Sequence, residues 1–208
     1  MTLLEKIKNG ELYDCSPDAI PDEIDKKNCA CKELIHDFNM SRPSQVAFRE
    51  EIIRKVFAEV GDNCYIEPPF HANWGCNMHV GKNFYANFNL TVVDDADIYI
   101  GDSVMIAPNV VIATGTHPIC PELRERVYQY NLPVHIGNRV WIGAGSIILP
   151  GVTIGDDSVI GAGSVVTKDI PSGVVAVGNP CRVLRNIDQR DYEYYYKNRK
   201  IGFTVKKD

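Results

Sequence analysis

One histidine in this chain lies where chemistry is expected. His117 sits in Thr114-Gly115-Thr116-His117-Pro118, a polar stretch that breaks an otherwise regular pattern. An imidazole titrates near neutrality, so it can take up and return a proton at ordinary pH. The other four histidines lack such a setting. His36 falls in a helical pattern, His71 and His79 in early turns of the repeat, and His135 directly ahead of a repeat unit, all positions that suit surface or packing roles. No two of the five have H-x-x-x-x-H spacing, which weakens a shared metal. Seven cysteines, Cys15, Cys29, Cys31, Cys64, Cys76, Cys120 and Cys181, form an odd, scattered set without a C-x-x-C pair. They predict reduced, buried thiols rather than a disulfide framework or a zinc site. Neither a cysteine nor a serine has the surroundings of an activated nucleophile.

The elements that must position His117 announce themselves by period. Ile136, Ile142, Ile148, Ile154, Ile160 and Val166 recur every sixth residue, and the fifth place of each unit holds Val140, Ser146, Val152, Ser158, Ser164 or Ile170. Ile100, Ile106 and Ile112 keep the same register upstream. A strict six fits neither a 3.6-residue helix nor a heptad, and glycine and proline at this density would break either one. Short parallel strands remain, three closing one coil whose core continues into the next. Glycines follow the leading aliphatic at 137, 143, 155 and 161, as expected where each unit turns a corner and needs unusual backbone angles. An earlier run, Val80, Ala86, Val92 and Ile98, lies two residues out of phase with Ile100, which predicts a bulge or long turn near Tyr99. Between Ile112 and Ile136 the pattern vanishes, so His117 belongs to a loop expelled from the stack, where function concentrates.

Outside the coils the character changes. Asp22 to Phe38 and Ser44 to Val60 read as amphipathic helices, the second capped by Ser44 and burying Val46, Ile52, Ile53, Val56 and Val60. Val183 to Lys200, charged and tyrosine-rich, predicts a final helix whose aromatics serve packing or subunit contact. The expected layout is one principal domain: a helical segment over 1–61, the coils over 62–181 with the loop protruding at 113–135, and an extension over 182–208.

Composition excludes several classes. With 45% hydrophobic and 24% charged residues the chain reads as an ordinary globular protein, and no apolar run approaches the length a membrane span needs. The N-terminal Met1-Thr2-Leu3-Leu4-Glu5-Lys6-Ile7-Lys8 carries no secretory core. A reducing cytoplasm is the expected compartment. A net charge of −5 argues against a nucleic-acid partner, since such affinity comes from neutralised phosphates. Local basic residues remain free to meet one small anion.

Several runs carry a more specific resemblance. Gly10-Glu11-Leu12-Tyr13-Asp14, Glu67-Pro68-Pro69, Asn83-Phe84-Tyr85-Ala86-Asn87-Phe88-Asn89, Asp94-Asp95, Ala107-Pro108, Thr116-His117-Pro118, Trp141-Ile142-Gly143 and Gly178-Asn179-Pro180-Cys181-Arg182 occur in this order over nearly the whole chain. Together they resemble the galactoside and maltose O-acetyltransferases, a family of hexapeptide-repeat acyltransferases. The resemblance implies a mainly β protein: a left-handed parallel β-helix with N-terminal helices and a C-terminal helix. It also implies a homotrimer with its clefts between subunits. The handedness comes from the family alone, because general rules favour right-handed parallel crossovers.

The same resemblance implies direct transfer of acetyl from acetyl-CoA to a sugar hydroxyl, without a metal, and assigns roles. His117 is the general base. Asn87 lies near the reacting carbonyl and the acceptor, where its amide could donate to the developing oxyanion. Asp14, Asn73, Tyr85, Asn87, Asp95 and Gln129 bind the acceptor, and carboxylates suit hydroxyls because they accept several hydrogen bonds. Trp141, Ala144, Ala162, Thr167, Lys168, Arg182 and Arg185 bind coenzyme A: small residues let the pantetheine approach, and cations meet phosphates. The chain departs from the family at Asn28, which stands where relatives carry a sugar-contacting arginine. Two other readings compete. One keeps the chemistry with an antibiotic, a serine or a nucleotide-linked amino sugar as acceptor; the other is a catalytically silent scaffold, which would have no need for His117, Asn87, Lys168 and Arg182 together. A carbonic anhydrase on a similar β-helix would need the missing histidine pair.

Overall fold

Aliphatic side chains six residues apart can all point inward only if the backbone turns a corner in every unit. In the computed structural model, which describes residues 1–205, it does. The coils stack into the expected left-handed parallel β-helix, whose cross-section is a triangle. The first face holds Glu59–Val60, Met78–Val80, Ile98–Ile100, Val134–Ile136 and Thr153–Ile154. The second holds Tyr65–Ile66, Tyr85–Ala86, Met105–Ile106, Trp141–Ile142, Val159–Ile160 and Val174–Val177. The third holds Phe70–Ala72, Leu90–Val93, Val111–Ala113, Ile147–Ile148 and Val165–Val166. All pairings within these runs are parallel. The six aliphatics from Ile136 to Val166 are buried in one continuous core, each contributing about 1.5–3 kcal/mol of transfer free energy.

The repeat glycines act differently from the expectation. Gly137, Gly143 and Gly155 do not have positive φ; the left-handed residues of those corners come two places later, at Arg139, Gly145 and Asp157. What excludes a side chain is the neighbouring coil, since a Cβ would stand 2.7 Å from Asp156 N at Gly137, 2.5 Å from Ala162 N at Gly143 and 2.5 Å from Ser172 N at Gly155. These glycines permit close stacking rather than unusual angles.

The two-residue slip also moves. Tyr99 lies within a regular strand, with Ile98 and Ile100 both inward. The extra length lies in the preceding corner, between the third face and the first. There Val92 and Ile98 enclose five residues, as Ala72 and Met78 do, whereas the aligned Ile148 and Val152 enclose three. In the next coil the same corner expels the whole loop between Ile112 and Val134. One edge of the prism is therefore enlarged three times in succession, at 73–77, 93–97 and 113–133.

Outward on the first face, the rings of His79, Tyr99 and His135 stack at centroid distances of 4.6 and 4.9 Å, and His79 Nε2 lies 3.0 Å from Asp97 Oδ1. Packing is thus the role the structure gives to two of the four remaining histidines. His71 faces outward from its strand, and His36 is on a helix.

Helix α1 spans Leu3–Lys8, α2 Asp22–Met40 and α3 Val46–Val56. The cap position of α3 is Gln45, not Ser44, and Val46 is exposed while Ile52, Ile53 and Val56 are buried. Val60 lies beyond the helix, in the first strand of the first face. Helices α2 and α3 cover the first coil. The Asn39 carboxamide pairs with both backbone groups of Phe70 at 2.8 Å, as a neighbouring strand would, and Arg54 Nη1 donates to Val60 O at 3.1 Å.

In the loop, Pro121–Glu125 forms α4. The C-terminal helix is corrected to one short turn, α5, over Gln189–Glu193. Arg182–Asn186 instead returns as an antiparallel strand on Val174–Val177, and Tyr194–Tyr196 pairs with Arg199–Lys200. Tyrosines and β-branched residues favour strands there. Arg190 and Lys197 lie over Tyr194 and Tyr196 at 4.6 and 5.1 Å. Only Cys31 and Cys181 of the seven free thiols are buried, which corrects the expectation of a buried set. Among the described residues no helix is long and apolar enough to cross a membrane.

Candidate active site

His117 is held by a small sheet built on the enlarged corner. Gly115–Thr116 and Tyr13–Asp14 pair antiparallel with opposite sides of Tyr128–Asn131, so the N-terminal segment is stitched to the expelled loop. His117 Nδ1 lies 2.9 Å from Tyr128 O. A carbonyl can only accept, so Nδ1 carries the proton and the lone pair of the neutral ring sits on Nε2. The ring is exposed, with that basic nitrogen free to meet a substrate.

Beside it the polar residues converge on Asp95. Its Oδ1 accepts from Asn73 Nδ2 at 2.5 Å and from Trp74 Nε1 at 2.8 Å; its Oδ2 accepts from Gln129 Nε2 at 3.0 Å. Gln129 also donates to Asn131 Oδ1 at 2.9 Å, and Asn131 Nδ2 donates to the Tyr13 hydroxyl at 3.0 Å and to Asp95 O at 3.1 Å. Burial pushes the Tyr13 hydroxyl up to about 12, so it stays protonated. Gly115 leaves room for this packing, because a Cβ there would collide with Asp95 Oδ2 unless the carboxylate moved. Asp14 Oδ1 accepts from Ser16 N at 2.9 Å, and hydrogen bonds from Ser16 hold its carboxyl below the usual range. Asn28, on α2, donates to Asn73 O at 3.0 Å and so braces the 73–77 turn.

The remaining residues are spread over the other faces and corners. Tyr85 and Trp141 face outward on the second face, where Tyr85 stacks on Tyr65 and Trp141 is 52% exposed beside Met105. Asn87, Ala144 and Ala162 follow at the corner between the second and third faces. Asn87 Oδ1 accepts from Phe88 N at 2.8 Å. Ala144 and Ala162 are exposed in stacked turns joined by Gly163 N to Ala144 O at 2.8 Å. Thr167 and Lys168 are exposed past the last strand of the third face. Arg182 donates to its neighbour Cys181 O, but Arg185 is engaged by both Asp191 carboxylate oxygens at 2.6 and 2.7 Å.

The structure thus brings together Asp14, Asn73, Asp95, His117 and Gln129, but leaves Tyr85, Asn87, Trp141, Ala144 and Ala162 across the third face from them. Trp74, Asp94, Tyr13 and Asn131 are additional members of the first group. Asp94-Asp95 is visible as a motif, yet only the length of the 73–77 turn hints that Trp74 faces the same carboxylate.

The chain is similar to known proteins over nearly its whole length. Residues 133–168 match the bacterial transferase hexapeptide family (six repeats), and residues 6–61 match the maltose acetyltransferase hexapeptide capping motif. The chain is 50% identical over 205 residues to the galactoside O-acetyltransferase of Escherichia coli (strain K12), covering 99% of each. It superposes on a galactoside acetyltransferase in complex with coenzyme A with a TM-score of 0.93 at 50% identity, covering 98% of this chain and 100% of that one. A maltose O-acetyltransferase from Clostridium difficile 630 gives 0.86 at 47% identity, covering 91% and 99%.

Proposed function

Because the chain belongs to the galactoside and maltose O-acetyltransferases, we propose that it transfers the acetyl group of acetyl-CoA directly to a sugar hydroxyl, with His117 as general base. It is an acetyl-CoA-dependent acetyltransferase. The observation that carries the mechanism is the Tyr128 carbonyl on His117 Nδ1, which fixes the tautomer a base requires. His117 Nε2 takes the hydroxyl proton as the oxygen attacks the thioester carbonyl. Asn87 Nδ2 donates to the resulting oxyanion, and the tetrahedral intermediate collapses by breaking its C–S bond. The departing thiolate recovers the proton from Nε2. Asp95, Asp14, Asn73, Tyr85 and Gln129 orient the sugar. Cys15, the thiol nearest this cluster in sequence, suits no covalent route: its Sγ donates to Val127 O at 2.7 Å, and burial pushes it up, away from the thiolate.

The separation of the two residue groups supports a shared cleft. With His117, Asp14, Asn73, Asp95 and Gln129 at one edge of the third face and Tyr85 and Asn87 across it, a second copy brings the two sets together. A homotrimer does so with three identical clefts. Light scattering should therefore give three times the 23.3 kDa chain mass, and a fully active monomer would overturn the shared cleft. A cytoplasmic location belongs to the same reading, supported by seven unpaired thiols.

Trp141, Ala144 and Ala162 form the cofactor groove, with Thr167, Lys168, Arg182 and Arg185 around the phosphates. Since Asp191 already occupies Arg185, Lys168 and Arg182 are the more available cations. Lys168→Ala and Arg182→Ala should each raise KM for acetyl-CoA several-fold with acceptor KM unchanged, as expected for loss of uniform binding. Unchanged constants for both substrates would displace the groove. An acetyl-CoA consumption screen over galactosides, glucosides, maltose and chloramphenicol tests the acceptor class; transfer to chloramphenicol alone would overturn the sugar assignment.

A further inference from the structure

Asp94 is a buried carboxyl that the chemistry above does not use. It is 0% exposed, and its partners among the described residues, Trp74 and Asn77, belong to one turn. Its Oδ1 accepts from Trp74 N at 2.8 Å, its Oδ2 from Asn77 N at 3.4 Å, and its backbone carbonyl from Asn77 Nδ2 at 2.7 Å. The adjacent Asp95 receives the side chains of the same turn, Asn73 Nδ2 and Trp74 Nε1. Consecutive carboxylates thus grip one turn from two sides, the first by its backbone and the second by its side chains.

The grip leaves a countable remainder. A carboxylate offers roughly four acceptor positions, and Asn73, Trp74 and Gln129 occupy three on Asp95. One is left for an incoming hydroxyl, and the donors that fill the others decide where it points. Two of those three donors ride on the turn that Asp94 holds. A buried carboxyl is a costly way to pin a turn that a neutral side chain could close. Burial pushes Asp94 up to about 6, against the hydrogen bonds from Trp74 and Asn77, with Asp95 alongside and the Cys31 thiol on α2 the titratable groups that face it.

We propose that Trp74 is an acceptor-recognition residue, its indole N–H aiming the one position Asp95 keeps for a sugar hydroxyl, and that Asp94 is the positioning residue that sets Trp74. This rests on the reading of Asp95 as an acceptor contact. Trp74→Phe keeps an aromatic ring and deletes only the donor. With methyl β-galactopyranoside or maltose as acceptor, it should raise acceptor KM about tenfold, the scale of one hydrogen bond to a charged group. The KM for acetyl-CoA should not move. Asp94→Asn, which sets an amide donor against backbone N–H groups, should give the same split. An unchanged acceptor KM in an active Trp74→Phe protein overturns the proposal.

A readout independent of turnover is the Trp74 indole N–H resonance, identified among the two tryptophans by its loss in Trp74→Phe. It should be protected from exchange with water, and the Trp74 backbone amide should titrate near pH 6 in the wild type but not in Asp94→Asn. If neither sugar is acetylated, the sugar reading fails by itself, and the indole still decides the clamp: protection supports it, free exchange overturns it. Should Asp94→Asn not fold, Trp74→Phe carries the test alone.

Discussion

Replacing His117 by alanine should lower kcat by roughly 10²–10⁴, the usual worth of a positioned general base, while assembly and acetyl-CoA binding stay intact. The two effects separate because the imidazole belongs to the expelled loop, whereas the coils, Lys168 and Arg182 are built without it. Among the described residues, its ring hydrogen-bonds to the Tyr128 carbonyl, at a solvent-facing site. Removing the ring therefore leaves no buried group unsatisfied, and the fold should tolerate it. The measurement is steady-state kinetics on the best acceptor from the screen, with coenzyme A affinity by calorimetry as the control. A variant retaining near wild-type kcat would remove His117 from the mechanism.

Asn87→Ala should cost about 10²–10³ in kcat, the range for one oxyanion donor. On the proposed mechanism the side chain has two separable jobs: its oxygen accepts from Phe88 N and so braces the turn, and its N–H groups serve the oxyanion. Asn87→Asp divides them. The carboxylate still accepts from Phe88 N, so the turn survives, but it presents an oxygen and a negative charge where a donor is required. Both variants should lose kcat, Asn87→Asp at least as severely. Full activity in Asn87→Asp would mean that Asn87 is a turn device only.

The periodic part of the fold is legible because a strict six admits few alternatives once helices are excluded. Its exceptions are harder. The slip between Val92 and Ile100 reveals that two residues have been added but not where, since both Ile98 and Ile100 are apolar and either can begin the new register. Only pairing with Val134 and Ile136 places the addition in the corner at 93–97. The glycines at 137, 143 and 155 are recognisable as necessary, but their constraint is the backbone of the next coil, a contact about twenty residues away in sequence that period alone does not contain. The C-terminal extension has no repeat to fix it. There, pairing with Val174–Val177 overrides the helical reading from Val183 onward. Within the site, His117, Asp95 and Gln129 can be found through motif resemblance. Trp74 and Asp94 work through a turn that no spacing rule describes.

Asn39 has a meaning beyond the first coil. In a parallel β-helix each turn of chain is a template for the next, and the backbone groups of an open end do not distinguish their own chain from another copy. By presenting one amide N–H and one carbonyl to Phe70, Asn39 occupies that template with a group that offers nothing further to copy. At the other end, the antiparallel return of Arg182–Asn186 reverses the strand direction and is equally unsuited to parallel growth. Together these two closures disfavour joining of molecules coil to coil, so that what makes the fold finite within one chain also limits its growth among many.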